Sequence, residues 1–123
     1  MPHHVLICDD EEFIRMALAD YLRSNGFEVT EAKNGVECLK AMETSSPNVL
    51  LLDLTMPEMS GHEVLAKIKA MGTHVPTYVM SGLGASDDSS DAKDLGVEGY
   101  FAKPYRLKEI AQTLKVHFAE KQG

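Results

Sequence analysis

Four short stretches of this 123-residue chain carry side chains able to do chemistry together: Cys8-Asp9-Asp10-Glu11, Asp53-Leu54-Thr55-Met56-Pro57, Ser81-Gly82 and Lys103-Pro104. Brought to one place they supply carboxylates, a hydroxyl and an ammonium. Clustered carboxylates repel one another unless a cation sits among them, and a hard divalent ion suits such oxygen donors. Mg²⁺ is the expected ion, with Mn²⁺ as its alternative; it keeps waters and accepts a phosphate oxygen. With a metal, Ser81 and Lys103 around it, one carboxylate can attack phosphorus and become an aspartyl phosphate. Phosphoryl transfer asks a protein mainly for in-line positioning and for cations against the equatorial oxygens. Asp53 is the natural acceptor because it ends the most apolar run of the chain, VLLLD, and Asp9 and Asp10 form the metal arm. Each piece alone has an ordinary explanation: Asp9 and Asp10 suit a helix start, and Lys103 suits a surface turn at Pro104. Their co-occurrence is what points to a site.

Such a site needs elements that end in one place. Apolar runs rich in Val, Leu and Ile begin at residues 4, 28, 49, 77 and 99, an interval that fits one strand, one helix and two short loops. Continuous runs such as VLLL suit strands covered on both faces. Between them, Phe13, Ile14, Ala17, Leu18, Tyr21 and Leu22 form a helical stripe stopped by Asn25-Gly26. A shorter helix spans Val36 to Met42. Val64, Leu65, Ile68 and Met71 repeat the pattern up to Gly72, and Leu107, Ile110, Ala111, Leu114 and Phe118 close the chain with a last stripe. The polar segment Ser86 to Leu95 reads as a short helix with few apolar residues. The sum is a (βα)₅ chain, and right-handed crossovers then demand an α/β, doubly wound, parallel five-stranded sheet with helices on both faces. In such a sheet the loops leaving the carboxyl ends of the strands form the functional edge, and all four stretches fall there. Gly61 relieves crowding just after the acceptor loop.

Composition bounds the rest. One domain over residues 1–123, with its core at about 5–118, is expected at this length, with no room for an effector domain. A net charge of -7 argues against direct nucleic-acid binding, which favours a basic face. Two cysteines without CxxC spacing suggest a reduced, cytoplasmic chain, and the N-terminal apolar run is too short for a signal core or a membrane span. His62, His74 and His117 share no spacing and read as structural. Met56, Met59, Met71 and Met80 read as packing residues.

Taken in order, the Asp9-Asp10 pair, the DLTMPEMSG stretch from Asp53, Ser81-Gly82 and the YFAKP run from Tyr100 resemble the receiver domain of bacterial two-component response regulators. The resemblance covers roughly Val5 to Phe118. It implies the flavodoxin-like strand order 2-1-3-4-5 and a phosphoryl group passed to Asp53 from a histidine kinase or a histidine phosphotransfer protein. It further implies Mg²⁺ on Asp10, Asp53 and the backbone carbonyl of Thr55, with Asp9 acting largely through water. Ser81 and Lys103 would hold the phosphoryl group, Pro104 would follow a cis peptide bond, and Tyr100 would be the switch aromatic that turns inward on phosphorylation. The downstream protein would then meet a face made by the fourth predicted helix, the fifth strand and the fifth helix, a population shift driven by one modification. Such a module is no enzyme beyond promoting its own phosphorylation and dephosphorylation.

Thr55 and Leu83 flank the path of a hydrolytic water in sites of this kind. Leu83 cannot orient water, so a persistent phosphorylated form is expected. The acidic segment Ser86 to Leu95 suggests a mobile output face. Three other readings compete. A small haloacid-dehalogenase-like phosphohydrolase needs a second Asp where this chain has Thr55. A flavodoxin-like cofactor protein needs hydroxyls and glycine where this chain has DDEE. A degenerate receiver serving as a constitutive docking module would not need an intact acceptor, acid pair, hydroxyl and lysine.

Overall fold

The structure, a computed structural model, describes residues 3–81, 96–104 and 106–122. The five apolar runs are strands: β1 His4–Cys8, β2 Glu28–Ala32, β3 Val49–Asp53, β4 Thr77–Ser81 and β5 Gly99–Ala102. They pair in parallel in the order β2-β1-β3-β4-β5, as the resemblance implies. The chain adds β2 to one side of β1 and everything later to the other, so the loops after β1 and β3 diverge and leave a crevice between them. Cys8 lies beside Leu52 in the register, which sets Asp9 and Asp53 at the same height on neighbouring strands.

Four described helices flank the sheet: α1 Glu12–Ser24, α2 Gly35–Ser45, α3 Gly61–Ala70 and α4 Leu107–Gln122. Asn34 caps α2 by accepting from the Glu37 N–H, and Ser60 caps α3 by accepting from the Glu63 N–H. Gly26 and Gly72 take φ of +91° and +74° just past α1 and α3, the left-handed region where a side chain is strained. α1 and α4 cover one face of the sheet over Val5, Ile7, Leu51 and Met80; α2 and α3 cover the other over Leu6, Leu50, Leu52 and Val79. β3 and β4 are buried at every residue, which explains the apolar runs Val49 to Leu52 and Tyr78 to Met80 within them.

Two stripes differ from expectation. Phe13 is 86% exposed, and the buried face of α1 is Arg15, Leu18, Ala19 and Leu22. A charged residue takes an interior position because Glu31 of β2 is there to pair with it, which hydrophobic periodicity does not register. Met71 is exposed because α3 ends at Ala70, leaving Met71 as its C-cap. The proposed helix Ser86 to Leu95 and Leu83 lie outside the described residues. No helix among the described residues is long and apolar enough to cross a membrane.

Candidate functional site

The functional loops start from fixed points on the sheet. The Asp9 N–H donates to the Ala32 carbonyl at 3.1 Å, the Leu54 N–H to the Met80 carbonyl at 2.9 Å, and the Lys103 N–H to the Ser81 carbonyl at 2.8 Å. Each residue just past a strand is thus tied to the strand beside it. The carboxylates of Asp9, Asp10 and Asp53 converge, with one oxygen from each lying within 4.8 Å of the others. Asp9 and Asp53 are fully buried and Asp10 is exposed, so the cluster opens to solvent on the Asp10 side.

Helix capping does not account for the acid pair. The Asp9 carboxylate accepts from the Glu11 N–H at 2.9 Å, before α1 begins, and Glu11 itself occupies the N-cap position without a side-chain cap bond. Asp53 is held on both oxygens: the Thr55 N–H donates to Oδ1 at 2.9 Å and Lys103 Nζ to Oδ2 at 2.9 Å. Burial nevertheless dominates. It pushes the Asp53 carboxyl up to about 6, against the opposing pull of the Lys103 and Thr55 hydrogen bonds and with help from the neighbouring Asp9 charge. Burial also works against the Lys103 charge, but its hydrogen bonds to Glu11 and Asp53 outweigh that and hold the ammonium above its usual range.

Glu11 is the residue that sequence reasoning passed over. Its Oε1 accepts from Lys103 Nζ at 2.7 Å, so the ammonium is shared between Asp53 and an acid at the rim. The signal for it was weak, since a fourth acidic residue in a solvated run looks ordinary; only the long-range approach of Lys103 gives it a role. Ser81 ends β4 and is buried at the same edge. The Lys103–Pro104 peptide is cis. Gly61 fits its expected place closely: a Cβ there would lie 2.6 Å from the Asp53 carbonyl oxygen and 2.7 Å from Leu54 Cα. Tyr100 already packs against the α2–α3 face of the core with its hydroxyl enclosed, whereas neighbouring Phe101 points into the α1–α4 face.

The donor set fits a hard divalent cation. Among the described residues the carboxylates of Asp9, Asp10 and Asp53 converge and offer oxygen only, while Lys103 pairs with Asp53 and Glu11. Cys8 adjoins them in sequence but belongs to the core: it is buried, its thiol donates to the Asn34 carbonyl at 3.5 Å and touches Met56 Sδ at 3.7 Å. Its hydrogen bond with Cys38, burial and the nearby Asp53 and Asp9 charges push the thiol well above its usual range, so it is a poor ligand and nucleophile.

Comparison with known proteins agrees with this geometry. The family model described as the response regulator receiver domain matches residues 5–115. The chemotaxis protein CheY of Bacillus subtilis is 34% identical over 115 residues, covering 93% of this chain and 96% of that protein. Sporulation initiation phosphotransferase F of the same organism is 31% identical over 123 residues, covering 100% and 99%. Among solved structures, a CheY-like response regulator receiver domain protein from Methanospirillum hungatei superposes with a TM-score of 0.88 at 26% identity, over the full length of both chains. A parallel sheet of this order with an acidic crevice at its switch point defines a receiver fold, and the chain belongs to the response regulator receiver family. It is a phospho-accepting signalling module of two-component systems; neither the phosphohydrolase reading nor that of a degenerate receiver serving as a constitutive docking module is favoured.

Proposed function

We propose that Asp53 is the phosphoacceptor and that a histidine kinase or phosphotransfer protein is its donor. The observation that carries this is the two-sided grip on a buried carboxylate, by the Thr55 N–H and by Lys103, within a cluster of acids open to solvent. In the transfer, an Asp53 oxygen forms the new bond to phosphorus while the P–N bond to the donor histidine breaks, and the leaving imidazole takes the electron pair and a proton. Lys103 turns from the carboxylate to the phosphoryl oxygens, and the Ser81 hydroxyl donates to another of them. Asp10, Asp53 and the Thr55 carbonyl would hold Mg²⁺, with Asp9 reaching it through water; the ion supplies the charge that lets an anionic donor approach an acidic site. The burial that raises the Asp53 pKa keeps the carboxylate weakly solvated, which favours attack once it is ionised.

The output would be a protein, reached through Tyr100 and the face around β5 and α4. Intact-mass measurement after incubation with acetyl phosphate and Mg²⁺ tests the acceptor assignment. One added phosphoryl group is expected in the native chain, and none in Asp53→Ala or with chelator present. Unchanged addition in Asp53→Ala would place the acceptor elsewhere.

A further inference from the structure

Arg15 is a charged residue in a core position. It is 8% exposed on the inward face of α1 beside Leu18 and Leu22, a place such residues take only when paired. Its guanidinium is used on two sides. Nε donates to Glu31 Oε1 at 3.1 Å, and Nη1 donates to the backbone carbonyl of Asp9 at 2.9 Å. Glu31 is itself steadied from the far side by Arg23, at 3.4 Å.

The bond to Asp9 is the unusual one. An ion pair with Glu31 would by itself explain a partly buried arginine that ties α1 to β2. The carbonyl of Asp9, however, belongs to the peptide that joins Asp9 to Asp10, and because a peptide is planar, holding the direction of its carbonyl also holds the direction of the Asp10 N–H. The N–H of Asp9 is fixed to Ala32, its carboxylate accepts from Glu11, and its carbonyl is fixed by Arg15. Arg15 therefore sets the tilt from which Asp10, the exposed member of the acid cluster, leaves the chain. A lysine would have to reach both acceptors from one nitrogen, whereas the planar guanidinium spans the carboxylate and the carbonyl with two.

We propose that Arg15 is a positioning residue for the metal arm: anchored by Glu31, its guanidinium orients the Asp9–Asp10 peptide so that the acid pair meets a divalent cation in the right geometry. The assignment rests on the reading of Asp9, Asp10 and Asp53 as a cation site. Groups that orient metal ligands typically change affinity by about 10- to 100-fold when removed.

The test is Mg²⁺ titration by calorimetry, with the amide resonance of Asp10 followed in parallel, on native chain, Arg15→Gln, Glu31→Gln and the double variant. All four are measured well below their melting temperatures. A positioning role predicts affinity at least about tenfold weaker in Arg15→Gln and in the double variant, a displaced Asp10 amide before metal is added, and a change of about threefold or less in Glu31→Gln. A tether alone predicts that Arg15→Gln and Glu31→Gln weaken binding alike, or that neither does, and either result overturns the assignment. If Arg15→Gln does not fold, Arg15→Lys takes its place, and native affinity in it overturns the proposal. A native chain that binds no Mg²⁺ would overturn the cation-site reading itself, and this assignment with it.

Discussion

The ion pair between Asp53 and Lys103 extends to a third residue, and that sharing shapes what the site does before any phosphoryl group arrives. With Glu11 Oε1 at 2.7 Å, Lys103 is partly engaged at the rim, and the extra carboxylate adds negative potential where an anionic donor must enter. Glu11→Gln is expected to speed phosphorylation by acetyl phosphate about threefold at saturating Mg²⁺, read as the half-time of mass addition. A slower reaction would mean that Glu11 holds the lysine in place. Leu83 calls for a different measurement. An aliphatic side chain cannot align water, so Leu83→Glu should shorten the lifetime of the phosphorylated form about threefold or more, and an unchanged decay rate would discard the idea. Most of the site was legible at this scale because Asp9, Asp10, Asp53, Ser81 and Lys103 each stand at a strand end, where the sequence pattern is strongest. Glu11 and Arg15 were not, because their roles depend on partners 92 and 16 residues away.

The elements show how closely the acceptor loop is built against its neighbours. Gly61 begins α3 with backbone of Asp53 and Leu54 where a Cβ would stand. At Gly35, which begins α2, the same Cβ would meet Met59 Sδ at 2.5 Å, the far end of a flexible side chain. The two alanine substitutions should therefore differ. Gly61→Ala is expected to cost about 2–3 kcal/mol in denaturant unfolding and to disturb the acceptor loop, and Gly35→Ala about 1 kcal/mol or less as Met59 repacks. Equal costs would mean that the backbone after β3 gives way easily. Strand positions and the order of alternation were readable from the apolar runs, because a strand buried on both faces leaves no ambiguity about burial. The rotation of α1 was not. Its stripe was drawn through Phe13 and Ala17, both exposed, since periodicity counts apolar residues and cannot see that an Arg15–Glu31 pair occupies the inside.

For the whole molecule, the buried Asp53 links stability to pH. The Asp53 carboxyl titrates near 6 in the folded chain against an ordinary value of 3.8, so between those values the folded state binds more protons than the unfolded one. Stability attributable to this group is complete below about pH 4, falls as pH rises through 6, and stays lost above it. Asp53→Asn, which mimics the neutral acid, should therefore stabilise the metal-free protein by about 2–3 kcal/mol at pH 7.5 and by almost nothing at pH 4, measured by urea unfolding with chelator present. Equal gains at both pH values would show that ionisation is not the cause. Added Mg²⁺ should narrow the gap at pH 7.5, because it binds the folded native chain. The edge that bears this charge is stitched by main-chain bonds, from Asp9 to Ala32, Leu54 to Met80 and Lys103 to Ser81. Those seams tie each strand that contributes to the site to a neighbour. A frame laced in this way resists local give, so an incoming charge is felt as a load on the side chains it carries. Such a frame would keep the chemistry at the sheet edge and leave any response to the side chains anchored on it.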